Sequence, residues 1–261
     1  KANTKEKSGN NKEKVKMEVL DDDGNVIRTV NHNVEPGLNR IYWSLRQKGV
    51  RSPNMPKPTK PNAREPGGPP VLPGDYTVRL SNGKESVTQT VSVLTDPRVG
   101  INKRNLEKLQ PIYQRQMEIT TSVTMAMDQI REAKATIQSI NKMLNPKGNK
   151  SHKELISRGK AISDSLKLLE ELIVNKKGLQ GIVRSPNILS SKVGAIGRYL
   201  YSNLSGPNDS HKYLLDYAEA ETEKVLNQVN IFFKKDWDEY QSEVEDADLS
   251  FFKSYKPIKI N

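Results

Sequence analysis

Cysteine is absent from this chain of 261 residues, histidine occurs three times and phenylalanine four times. Without cysteine there is no disulfide framework, thiolate nucleophile, iron–sulfur cluster or cysteine-based zinc site, while the redox compartment stays open because many exported proteins also lack it. His32, His152 and His211 never stand four residues apart, so the paired-histidine face of a metal-binding helix is missing and no metal or other cofactor is expected. No apolar run approaches the roughly 18 residues that span a bilayer. Neither Gly-Lys-Ser/Thr nor Gly-x-Gly-x-x-Gly occurs, which leaves nucleotide binding unsupported, and no Gly-x-Ser-x-Gly elbow activates a serine. Asp21-Asp22-Asp23-Gly24-Asn25 has the composition of a calcium loop but the wrong spacing: glycine is fourth rather than sixth, and the twelfth position is His32. A hairpin turn is the better reading. With no catalytic constellation, the expectation is that the chain is not an enzyme.

What is plentiful is positive charge. The formal net charge is +11, with 28% charged residues and a mean hydropathy of -0.73. Residues 1–16 concentrate it, with six lysines against Glu6 and Glu13, so residues 1–14 are expected to form a disordered basic tail. Asp236, Asp238, Glu239, Glu243, Glu245, Asp246 and Asp248 make the late helical stretch acidic instead. A solvated surface of mixed sign is favoured over a nucleic-acid patch.

Between Val15 and Val93 the pattern has the period of strands. Val15, Met17 and Val19 alternate up to the Asp-Gly turn and Val26–Val30 returns; Tyr76–Leu80 and Ser86–Val93 flank Asn82-Gly83, a strong hairpin signal. Leu38 to Arg46, with Leu38, Tyr42 and Trp43 seeking burial, reads as a core strand. Residues 51–73 carry eight of the fifteen prolines, which argues against ladder pairing and for a long extended surface loop. These short strands predict a small β-sandwich over 15–98.

Beyond Asp96-Pro97-Arg98 the period becomes helical. Leu109, Ile112, Gln116, Ile119, Val123, Ala126, Ile130, Ala133, Ile137, Ile140 and Leu144 step by three and four, and Pro111 either opens this helix or kinks an earlier start near Asn105. A second helix follows Ser151 and Glu154, a capping-box pair, with a stripe from Leu155 to Ile173; a third uses Leu189, Val193, Ile196 and Leu200. A fourth runs from Asp209 through Leu214, Tyr217, Val229 and Phe232 toward Trp237 and Tyr240. Each hides one face only, so an antiparallel four-helix bundle over 99–250 is expected, with an extended C-terminal tail at 251–261. The late tyrosines are expected mostly in its core. The adjacent rings Phe232-Phe233 and Phe251-Phe252 cannot both be buried on one helix face, which makes Phe233, Trp237, Phe251 and Phe252 the candidate interaction surface.

Met17-Glu18-Val19-Leu20-Asp21 with Gly24-Asn25-Val26-Ile27-Arg28-Thr29, then Pro36-Gly37-Leu38-Asn39-Arg40 leading into Trp43-Ser44-Leu45-Arg46, then Leu72-Pro73-Gly74-Asp75-Tyr76-Thr77-Val78-Arg79-Leu80 and Asp96-Pro97-Arg98, follow one another in a characteristic order. This order resembles the C-terminal Ig-like module, similar to that of the flagellar hook-capping protein, of exported Bacteroidetes proteins whose main body is a sortilin-like or sialidase-repeat β-propeller. The family usually writes aspartate after the tryptophan, where this chain has Ser44. The resemblance implies an Ig-like sandwich with a helical segment behind it, export to the cell envelope or beyond, and an accessory role. The expected partners are an upstream β-propeller of the same polypeptide, lying before Lys1, and another envelope protein or a glycan. It transfers no catalytic residue. The competing expectation is a protein that binds nucleic acid or another anionic polymer through its basic tail.

Overall fold

A computed structural model describes residues 14–60, 63–98, 100–144, 152–176, 187–203 and 205–247. It is a mixed β and α structure. Among the described residues, one compact unit gathers those up to Arg51 with Lys57–Met117 and Gly197–His211; the other gathers Ser52–Pro56, those from Glu118 to Ile196 and those from Lys212 onward.

The first unit holds an antiparallel sheet of four strands: β1 (Lys14–Leu20), β2 (Val26–Asn33), β5 (Gly74–Asn82) and β6 (Glu85–Val93), in the order β2-β1-β5-β6. Both hairpin turns fall where their residues demand. Gly24 and Gly83 take φ of 79° and 60°, a region open to glycine at little cost. Asp21 spends Oδ1 on the backbone N–H groups of Asp23 (3.1 Å) and Asn25 (2.8 Å), so its carboxylate closes the β1–β2 turn from within. Because side chains alternate along a strand, Met17 and Val19 bury on one face while Lys16 and Glu18 point to the other. On that polar face Glu18 lies between Thr29 of β2 and Arg79 of β5 in register, and it holds Lys16 and Arg79 each at 2.9 Å. Burial opposes the charge on Glu18, but these two cations outweigh it and hold the carboxyl below its usual range.

The stretch expected as a core strand, Leu38 to Arg46, is mostly not one. Leu38 is 98% exposed and Tyr42 72% exposed, and only β3 (Arg46–Lys48) is extended in a ladder. Where this stretch begins the chain turns: the Asn39 side chain accepts the Glu35 N–H and donates to the carbonyls of Glu35 and Gly37, and Gly37 takes a φ of 106°. Trp43 is half-buried, edge-on to Tyr76 at 5.4 Å, and its Nε1 donates to the Arg46 carbonyl at 3.1 Å.

The expectation that residues 51–73 cannot pair also fails. β4 (Gly67–Pro70) lies antiparallel to β3, with Arg46 opposite Pro70 and Lys48 opposite Gly67. Proline lacks a donor but keeps its carbonyl. The Pro66 carbonyl accepts from the Gly49 N–H at 2.9 Å, and Val71 N–H donates to Leu45 at 3.0 Å. The Arg28 guanidinium, buried, donates to the carbonyls of Glu65 and Pro66. In the second unit Arg131 does the same for Pro53 (2.6 Å) and Met55 (3.0 Å). Carbonyls left over by prolines are thus collected by arginine forks.

Short α1 (Lys103–Glu107) is capped by Asn102, whose side chain accepts the Arg104 N–H at 3.0 Å, and α2 (Gln110–Leu144) follows. Pro111 cannot donate to Glu107, so the helix breaks there and restarts. Of the eleven stripe residues, Leu109 just before α2 and ten on it, all are buried except Ile112, which is half-buried; Tyr113, Thr124, Met127 and Asp128 widen the stripe beyond it. Helices α3 (Lys153–Ile173), α4 (Leu189–Ser202) and α5 (Asp209–Phe232) come next. In the second unit Lys134 pairs with Glu170 at 2.5 Å, Lys192 with Glu221 at 2.6 Å, and Arg158 with Glu239 at 3.2 Å. On α5 the inward residues are Leu215, Ala218 and Val229, so the expected inward positions Leu214 and Tyr217 miss by a residue: the first is half-buried and the second exposed. Ser151 and residues 145–149 lie outside the described residues, and so does the basic tail up to residue 13.

Candidate functional site

Of the four aromatic residues expected at an interaction surface, Phe251 and Phe252 lie outside the described residues. Phe233 and Trp237 open and close a π-helical turn (Phe233–Trp237) that joins α5 to α6 (Asp238–Glu245). The wider turn rotates the rings after Phe232 into a file: Phe232 to Phe233 at 5.4 Å, Phe233 to Trp237 at 5.9 Å and Trp237 to Tyr240 at 6.1 Å. Phe232 and Tyr240 are buried, while Phe233 and Trp237 are half-buried. The two candidate rings therefore use much of their area on their neighbours. The expectation that the late tyrosines are core holds for Tyr240 but not for Tyr199, Tyr213 and Tyr217, which are exposed at 41%, 71% and 40%. Tyr217 is nevertheless engaged from one side, with Lys192 Nζ 5.7 Å from its ring centroid.

His211, expected at a helix start, is fully buried in the first unit. Its Nδ1 accepts the Asn208 N–H at 3.1 Å, and Nε2 lies 3.0 Å from the Asn203 side-chain amide. Burial lowers its pKa, and a second ring proton would have to sit on Nδ1 against the Asn208 N–H. The ring is a neutral structural group. Nearby in the same unit, Tyr201 donates to buried Gln116 Oε1 at 2.6 Å and meets Tyr113 edge-on at 5.3 Å. Removal from water pushes the Tyr201 phenol up to about 12. Among the described residues no group of three or more histidine, aspartate or glutamate side chains is placed to hold a metal, and no helix is long and apolar enough to cross a membrane.

A second arrangement was not foreseen from the sequence. On the polar face of the sheet, Lys16 of β1 and its register partner Asn31 of β2 lie beside Thr29, and with them stand Lys48 of β3, Pro58, Lys60 and Ala63–Pro66. Together they line a cleft of ≈ 450 Å³ that includes Lys60 and Arg64. Four cations face it against one carboxylate, Glu65. That carboxylate is already committed: Oε2 accepts the Thr29 N–H at 2.8 Å, and Oε1 pairs with Lys48 at 3.4 Å. Since β2 is the sheet edge, this contact with the Arg28 fork covers the edge and seats the proline-rich segment as a wall. The sequence carried a partial signal, because Lys57, Lys60 and Arg64 are interleaved with prolines that could not serve in a core. Nothing in it placed that segment against β2.

No protein-family model, curated protein or solved structure matches the chain.

Proposed function

We propose that this chain is a non-catalytic accessory and interaction region, an Ig-like β-sandwich followed by an antiparallel helical bundle, belonging to an exported protein whose β-propeller is its main body. The observation that carries the reading is the ordered motif set from Met17 to Arg98. The antiparallel hairpins turning at Gly24 and Gly83 and the Trp43–Tyr76 pair are compatible with it. In this reading the module packs on the propeller and contacts an envelope protein or glycan, and Phe233 and Trp237 offer the ring surface for that contact. An antibody raised against residues 14–98, used on fractionated source cells, tests it. A band several times heavier than 29.4 kDa in the envelope or medium is expected. A cytoplasmic band near that mass overturns it.

The charge supports a second reading, binding of nucleic acid or another anionic polymer through the basic tail. Retention on heparin that falls with salt and disappears when residues 1–13 are deleted is its expected result. Retention unchanged by that deletion removes the tail from consideration.

A further inference from the structure

We propose that the cleft between the polar face of β1–β2 and the residues Pro58, Lys60 and Ala63–Pro66 binds a multiply charged oxyanion, the phosphate or sulfate group of a small ligand. The proposal does not rest on the accessory reading above.

The argument begins from charge left uncompensated. Lys16 has Glu18 at 2.9 Å and Lys48 has Glu65 at 3.4 Å, but Lys60 and Arg64 have no carboxylate within ion-pair distance among the described residues. Both are exposed, and both face the same cleft as the two paired lysines. Two uncompensated cations beside two paired ones are unfavourable in the free protein, and an anion with two or more charges reverses the sign of that contribution. Glu65 is engaged with the Thr29 N–H and Lys48, and neither Lys60 nor Arg64 pairs with it.

Ligand charge follows from the kinds of donors and their origins. Cations arrive from β1, from β3 and from the residues between Pro58 and Pro66 that line the cleft, so an anion carrying two or more charges gains more from them than one carrying a single charge. A phosphate or sulfate group carries that charge, whereas a single carboxylate carries one. Arg64 supplies a planar fork, the lysines supply point charges, and the side chains of Thr29 and Asn31 supply neutral donors. Pro58 and Pro66 restrict the backbone at their own positions, and the Arg28 contacts to the Glu65 and Pro66 carbonyls anchor the end that carries Arg64 and Glu65. Less ordering is then needed when a ligand arrives. A volume of ≈ 450 Å³ admits a ligand the size of a nucleotide or a disaccharide rather than a bare ion alone.

The test uses the whole 261-residue chain and two probes, inorganic pyrophosphate and inorganic sulfate, followed through backbone amide shifts. Saturable shifts are expected at Thr29, Asn31, Lys48, Lys60 and Arg64, weakened about tenfold or more by the double substitution Lys60→Gln, Arg64→Gln. Lys84→Gln, at the β5–β6 turn and outside the cleft, is expected to leave them unchanged. Saturation by pyrophosphate alone identifies a phosphate ligand, and saturation by both probes identifies the shared oxyanion chemistry; either supports the site. The proposal is overturned if these amides show no saturable shift up to about 10 mM probe. It is also overturned if the shifts vanish on deletion of residues 1–13 but survive the double substitution, or if Lys84→Gln weakens them as much. A melting curve of the double variant that matches the parent separates lost binding from lost fold.

Discussion

Gly68→Ala should damage the β3–β4 ladder, while Gly67→Ala, one residue away, should not. A Cβ built on Gly68 would stand 2.6 Å from the Lys48 carbonyl oxygen, 2.8 Å from its carbon and 2.9 Å from Gly49 Cα. Ordinary carbon contacts lie at ~3.5–4.0 Å, so the new methyl is roughly 1 Å too close to three backbone atoms, none of which can rotate away. The ladder must open, and the bonds at risk are Gly49 N–H to Pro66 (2.9 Å) and Arg46 to the Gly68 carbonyl (3.0 Å). At ~1 kcal/mol each these account for ~2 kcal/mol. Loss of unfolded-state freedom on replacing glycine returns ~0.4–1 kcal/mol, which leaves a net destabilisation of about 1–2 kcal/mol. At Gly67 a Cβ meets nothing within 4 Å, so only the favourable contribution remains there. The assay is urea unfolding read by Trp43 fluorescence in a Trp237→Phe background, since Trp43 Nε1 bonds the Arg46 carbonyl at the start of β3. Equal midpoints for Gly68→Ala and the parent, or equal damage from the two substitutions, would refute the reasoning.

Other outcomes follow from the buried polar groups. His211 has its pKa lowered by burial from the ordinary 6.5, so the folded state holds fewer protons than the unfolded chain below that value. Its contribution is complete above about pH 6.5 and declines as the pH falls toward the folded value, so the melting temperature should drop between pH 7.5 and 5.5 more steeply in the parent than in His211→Gln. Parallel profiles would remove His211 as the cause. Tyr201, raised to about 12, favours the neutral phenol in the fold, so its contribution is present below pH 10 and is lost as pH rises toward 12. Ultraviolet titration of Tyr201→Phe should lack absorbance change near 12, and a loss near 10 instead would contradict the placement. The same variant removes the 2.6 Å bond to buried Gln116 and should cost ~1 kcal/mol in urea unfolding; an unchanged midpoint would show that the bond adds nothing net.

The helices were the most legible part of the fold. A stripe from Leu109 to Leu144 can be read from spacing because a helix repeats every 3.6 residues whatever it packs against, and its burial follows from that repeat. The two hairpins were equally legible, since Gly24 and Gly83 mark backbone angles that other residues resist. The failures share a cause. Leu38 and Tyr42 look like strand residues by type, but no strand of the sheet pairs with them and both stand exposed. Residues 66–70 look incapable of pairing by type, but a partner supplied the donors that proline lacks.

The candidate sites divide in the same way. Phe233 and Trp237 stand out in the sequence because adjacent rings conflict with a single helix face, but the π turn in which the structure places them leaves no mark in residue type. The cleft depends on Arg28 and Glu65 meeting across about forty positions of sequence, and on strand alternation placing Lys16 and Asn31 on the face they then share. By itself the sequence determined the local periods, the turn positions, the excess of positive charge and the chemistry its missing residues forbid, because these depend on neighbours along the chain. Only the tertiary structure decided which carbonyls the arginines collect, which aromatic rings face water and where the unpaired cations converge, because those outcomes depend on partners that the chain brings together from far apart.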